Sequence, residues 1–146
     1  MDNTITKDTI AQRDGPMTRA AQLKAAGLRT TRPRLALADL LFAKGDRHVT
    51  TDQLYSEAQA AGLSISQATI YNTLNQFQEA GLLREVQVDP SRSYFDTNTS
   101  EHHHFYVEEE GRLMDIEKHA ISIDRLPESP QGFRVAGVDI VIRLTK

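Results

Sequence analysis

The 146-residue chain contains no cysteine. Without thiols there can be no disulfides, thiolate zinc sites, iron–sulfur clusters or Cys-based haem motifs, so any metal held here must be bound through nitrogen and oxygen. Long apolar runs are missing as well. No stretch approaches the ~20 apolar residues that a membrane-spanning helix needs. Met1 to Pro16 carries Asp2, Asp8 and Asp14 where a signal peptide would be apolar, so the expected location is the cytoplasm, away from membranes. Catalytic signatures are also lacking: there is no Gly-rich phosphate cradle between a strand and a helix, and no Gly-x-Ser-x-Gly. The expectation is a protein that is not an enzyme.

Apolar residues make up 39% of the chain and charged residues 25%, which suits a folded soluble protein. The net charge of −3 hides an asymmetry. Residues 1–84 carry 10 Lys/Arg against 8 Asp/Glu, whereas residues 85–146 carry 7 against 12. Within residues 16–48 there are 7 basic side chains and only 2 acidic ones. A basic patch confined to one part of an acidic chain is either a phosphate-binding module or a solvated helix surface.

Residues 1–15 show no apolar period and are expected to form a flexible arm. Four helices follow. The first starts near Met17 and stops at Gly27. The second has Thr31 as N-cap, Pro33 in its first turn and Leu35, Leu37, Ala38, Leu41 and Phe42 on one face. The third runs from Thr51 to Ala61, and the fourth from the N-cap Ser66 to just before Gly81. From Leu82 the period changes to two. Leu83–Val88 and Ser93–Asp96 flank a turn at residues 89–92, and His103–Glu108 and Leu113–Ile116 flank a second turn. Residues 121–132 contain Pro127 and Pro130 and should be irregular; Phe133–Leu144 reads as one long strand.

The expected fold class is α+β: an N-terminal winged helix-turn-helix over residues 16–97, then a small, mostly β α/β unit over residues 98–146. The second unit is too small to be stable alone, and a second copy of itself is the simplest cover. It is therefore expected to dimerise and to carry the sensing function, the partners being a homodimer mate and double-stranded DNA.

Ser66-Gln67-Ala68-Thr69-Ile70-Tyr71-Asn72 reads as a DNA-recognition helix. Ile70, Leu74 and Phe77 fall on its inner face, and Asn72, Asn75 and Gln76 on its outer face. Amide side chains pair bidentately with adenine, and Tyr71 suits a phosphate or a thymine methyl. The expected DNA-binding residues are Arg29, Arg32, Arg34, Gln67, Thr69, Tyr71, Asn72 and Asn75. Downstream lies the triplet His102-His103-His104. Imidazole is the commonest ligand for transition metals and haem iron, so a ligand cluster behind a reading head suggests a sensor.

The segment Leu23-Lys24-Ala25-Ala26-Gly27-Leu28-Arg29-x-Thr31-x-x-Arg34 resembles the opening of Fur-family metalloregulators. His48-Val49-Thr50, Ala68-Thr69-Ile70-Tyr71, Ala80-Gly81-Leu82 and the His-rich segment also resemble that family, in the same order, over roughly residues 17–117. Tyr71-Asn72, Tyr94-Phe95-Asp96-Thr97-Asn98, His102-His103-His104-Phe105 and residues 138–144 are similar to the Irr branch, the iron response regulators of alphaproteobacteria. The resemblance implies a transcriptional regulator, mainly a repressor, of haem synthesis and iron homeostasis that responds to haem or iron.

It also implies a metal set of His48, Asp96 and His103, with Asp115 in the place of a later Glu, for iron, Zn or Mn. His102, His103 and His104 are the implied haem ligands. In a strand His103 faces opposite to His102 and His104, which would separate a hinge metal set from a haem face. The chain departs from the family in four places. Both Cys-x-x-Cys pairs of the structural zinc are missing, there is no Cys-Pro haem motif, the next expected metal-ligand His falls on Phe105, and Gly137 stands where a His is expected. The alternative within the same class is a repressor using a divalent cation as corepressor. A remote alternative is a cupin-like metalloenzyme with His102, His104 and Glu108 as ligands.

Overall fold

A computed structural model describes residues 17–146; the arm expected over residues 1–15 lies outside them. Four helices lead: α1 (Arg19–Ala25), α2 (Arg32–Phe42), α3 (Thr51–Ala60) and α4 (Gln67–Glu79), with the two-residue strand β1 (His48–Val49) between α2 and α3. Each helix begins on a hydroxyl N-cap. Thr18, Thr31, Thr50 and Ser66 accept from the backbone N–H three residues on, which satisfies one orphan donor per helix. Thr50 and Gln53 complete a reciprocal capping box.

Three helices stop on the same tripeptide: Ala26-Gly27-Leu28, Ala61-Gly62-Leu63 and Ala80-Gly81-Leu82. After α4, Gly81 takes φ +82°, and the Leu82 N–H then bonds back to the Phe77 carbonyl at 2.9 Å. Only glycine enters that left-handed region without a steric cost. The leucine that follows is drawn back against the core.

The four helices enclose Leu23, Leu37, Leu41, Leu54, Ile70, Leu74 and Phe77, all inaccessible to solvent. The remaining strands are β2 (Arg84–Asp89), β3 (Arg92–Asp96), β4 (His103–Val107), β5 (Arg112–Ile116) and β6 (Val141–Leu144). They form two three-stranded sheets. The first has the order β1-β3-β2 and is the wing; the second has the order β5-β4-β6, with β6 parallel to β4. The architecture is α+β, a winged helix-turn-helix with a small β unit.

The two sheets share a second apolar core. Val86, Val88 and Tyr94 of the wing pack with Tyr106 and Leu113 of the second sheet, with Val141 half-buried beside them. The wing is therefore bonded to the β unit by buried side chains. One sequence expectation is corrected here. The long strand read over Phe133–Leu144 is extended and ladder-paired only at Val141–Leu144. The pairing with β4 begins where the His104 N–H donates to the Ile140 carbonyl at 3.1 Å, so residues 133–139 lie outside the ladder and Phe133 and Val135 stay exposed.

Candidate metal centre and nucleic-acid interface

Two ladder registers build the centre. In the wing, β1 pairs with β3 so that His48 stands opposite Asp96. In the second sheet, β4 pairs with β5 so that His104 stands opposite Asp115. His102 lies two residues before His104 and shares its face. The result is one cluster, the only such group among the described residues: His48, Asp96, His102, His104 and Asp115, each offering a ligand atom within 4.8 Å of the others.

The contacts are unusual for a protein-only network. Asp96 Oδ2 has three imidazole nitrogens around it, the Nε2 atoms of His102 at 2.7 Å, His104 at 2.9 Å and His48 at 3.1 Å. Asp115 Oδ1 faces the same three atoms at 3.2, 3.3 and 2.7 Å. The Asp96 side chain is 1% exposed and that of Asp115 40%, so the centre is closed on the wing side and open to solvent through Asp115. Burial alone would raise the Asp96 pKa. Hydrogen bonds from His104 and His48 and from the Asn98 backbone N–H outweigh it and hold the carboxyl below its ordinary value. Burial would lower His48, but Asp96 and then Asp115 hold it above its ordinary value.

His102 supplies the test of whether a cation fits. Its Nδ1 lies 2.6 Å from the Ser100 carbonyl oxygen, which can only accept, so the proton sits on Nδ1. A neutral ring then has a lone pair at Nε2, aimed at two carboxylate oxygens. A cation at the point where the five donors converge satisfies that lone pair and both carboxylates. Three neutral nitrogens and two carboxylate oxygens match the ligand preference of first-row divalent ions, and the donor set fits such a metal.

Of the metal residues expected from the sequence, His48, Asp96 and Asp115 are brought together and His103 is not. His103 faces the other side of β4, where its Nδ1 accepts the Ile140 N–H at 3.1 Å. The carry-over was one residue out of register. In a strand a one-residue shift moves every side chain to the opposite face, so the imidazoles that join His48 in the cluster are those of His102 and His104. The haem set of His102, His103 and His104 does not converge either. His102 and His104 are buried in the cluster; His102 and His103 both line a cleft of about 430 Å³ with His119, Leu126 and Gly137, and His104 does not. Glu108, a ligand in the cupin-like alternative, pairs with Arg143 at 3.2 Å and is not in the cluster.

Five of the eight residues expected to bind DNA line two grooves. Arg29, Arg34, Thr69 and Asn72 line one of about 500 Å³ between the start of α2 and α4. Arg34 is held there by the Arg29 carbonyl and by Gln76, each at 2.9 Å. Tyr71, 54% exposed, lines the second groove with Asp52 of α3 and Arg92 of the wing. Arg32 and Gln67 are exposed and Asn75 half-buried, and none of the three lines either groove. Gln67 instead bonds to Asp52. The sequence reading missed Arg92 and Arg84; no local pattern marks either, because each acts through residues distant in the chain.

The chain matches the ferric uptake regulator family over residues 25–143. It is 34% identical over 116 residues to the peroxide-responsive repressor PerR of Staphylococcus aureus, covering 79% of this chain and 78% of that one. Among solved structures it is similar to the ferric uptake regulator of Pseudomonas aeruginosa with manganese. There the TM-score is 0.66 at 22% identity, with 89% of this chain and 98% of that one covered. The Vibrio cholerae ferric uptake regulator gives 0.68 at 22%, over 87% and 98%. At such identities the structures bear on the fold alone. No helix among the described residues is long and apolar enough to cross a membrane. The chain belongs to the ferric uptake regulator family.

Proposed function

We propose that this protein is a metal-responsive, DNA-binding transcriptional repressor. Its effector is a divalent cation, iron, manganese or zinc, held by His48, Asp96, His102, His104 and Asp115. The observation that carries the reading is the origin of those five donors. His48 and Asp96 come from the wing sheet, His48 on its edge strand β1 between α2 and α3, and the other three from the second sheet or its lead-in. A bound cation neutralises the two carboxylates and cross-links the segments that bring them. The residues do the rest. His48 lies two residues ahead of the Thr50 cap of α3, and α3 packs on α4, so fixing His48 fixes the platform of the recognition helix. In this reading Arg29 and Arg34 hold phosphate, and Tyr71 and Asn72 read base edges.

The protein acts as a homodimer in this reading. Ile123, Leu126, Phe133 and Val135 expose apolar side chains along the segment before the edge strand β6, a surface suited to a second copy. Haem, the effector of the Irr-like reading, remains a second candidate on one observation. An open cleft is lined by His102, His103 and His119, and of these His103 and His119 stand outside the buried cluster.

A duplex selected from random sequence with the Mn(II)-loaded protein separates these readings. Binding that requires Mn(II), is abolished by chelator and is lost in Asp96→Ala is the expected result. Equal binding in chelator overturns the metal reading. A Soret band that His103→Ala removes, together with weaker DNA binding on adding haem, favours the Irr-like reading.

A further inference from the structure

Arg84 opens β2 and stands across the ladder from Asp96, yet it belongs to neither the donor set nor the DNA face. Its guanidinium reaches two separate segments, the lead-in to β4 and the residues ahead of β6. Nη1 donates to the carbonyls of Ser100 at 3.2 Å and His102 at 2.9 Å, and Nη2 pairs with the carboxylate of Asp139, just ahead of β6. The Ser100 carbonyl that Arg84 holds is the same one that accepts the Nδ1–H of His102. The tautomer and ring plane of His102 therefore depend on an oxygen whose position Arg84 sets. A histidine ligand needs such a partner on its outer nitrogen. Here the partner is itself anchored to both sheets.

We propose that Arg84 is the positioning residue of the metal centre. It orients His102 through the Ser100 carbonyl, so that Nε2 is offered to the cation, and through Asp139 it ties that orientation to the strand β6. The proposal rests on the metal reading above. Turning His102 away from the centre breaks its bond to Ser100 and disturbs the carbonyl on which Arg84 leans. Occupancy of the centre and the joint between wing and second sheet are thereby coupled. The planar fork serves two carbonyls through Nη1 and a carboxylate through Nη2; the compact ammonium of a lysine does not reproduce that spacing.

The test uses the full chain as wild type, Arg84→Lys, Arg84→Gln and Asp139→Asn. Mn(II) affinity is measured by calorimetry, the Co(II) visible spectrum is recorded as a report on ligand geometry, and thermal unfolding is followed in chelator. Both Arg84 variants should weaken Mn(II) binding by roughly 10–100-fold and alter the Co(II) bands. Asp139→Asn, which frees only the far end of the fork, should do less. If Arg84→Gln does not fold, Arg84→Lys decides, since it keeps a charge beside Asp139. Unchanged Mn(II) affinity and Co(II) spectrum, with only a lower unfolding temperature, would show a purely structural role and overturn the proposal. A wild type that binds neither ion is a different result, because it removes the metal reading itself.

Discussion

Three imidazole nitrogens and two carboxylate oxygens meet around one point, and without a cation only protons can reconcile them. His48 is held above its ordinary pKa of 6.5 and Asp96 below its ordinary 3.8. The His48 contribution to stability is fully present below 6.5 and is lost as pH rises through its raised value. The Asp96 contribution is present above 3.8 and is lost as pH falls through its lowered value. The metal-free protein should therefore be most stable in weak acid and lose stability as pH rises through the raised His48 value. A cation replaces the proton on His48, so metal binding should strengthen over the same rise in pH. Unfolding temperatures recorded from about pH 5 to about pH 9, with and without Mn(II), should diverge as the pH rises. Parallel curves would mean that cation and proton do not compete at His48.

Elements differ in how plainly the sequence announces them. The helices were legible because their signals are local: a hydroxyl at each N-cap, and the thrice-repeated Ala-Gly-Leu stop. The β5–β4 hairpin was legible from its period of two. Neither the length of β6 nor which histidines join the cluster could be read this way. Both depend on pairings made far along the chain: β6 is cut to four residues by where its pairing with β4 begins, and His104 is selected by standing opposite Asp115. The outward face of α4 was legible from composition, because it carries amides where a solvated helix carries Glu and Lys. On that helix Asn72→Ala should cost about 1–3 kcal/mol on the selected duplex and little on unrelated DNA. Arg34→Gln should instead weaken both alike and lower the salt slope by about one. Competition binding at two salt concentrations distinguishes them; a uniform loss in Asn72→Ala would place that residue on the phosphates.

For the molecule as a whole, the second apolar core decides how the reading head is carried. Tyr106 lies 2% exposed between the wing and the second sheet, with its ring 6.0 Å from that of Tyr94 and its hydroxyl 3.0 Å from Arg92. Tyr106→Ala should cost about 3–5 kcal/mol and lower the unfolding temperature of the wing and the second sheet together. Two separate transitions would show that the sheets are independent. With head and β unit joined in this way, a cation at the centre would, in the proposed reading, adjust a joint that already exists. That role can be tested directly by titrating Mn(II) against binding to the selected duplex for wild type, His103→Ala and His104→Ala. The expected result is one shared midpoint for wild type and His103→Ala, and a shift of at least about tenfold for His104→Ala. Loss in His103→Ala with His104→Ala unaffected, or binding that ignores Mn(II) in all three, would contradict it.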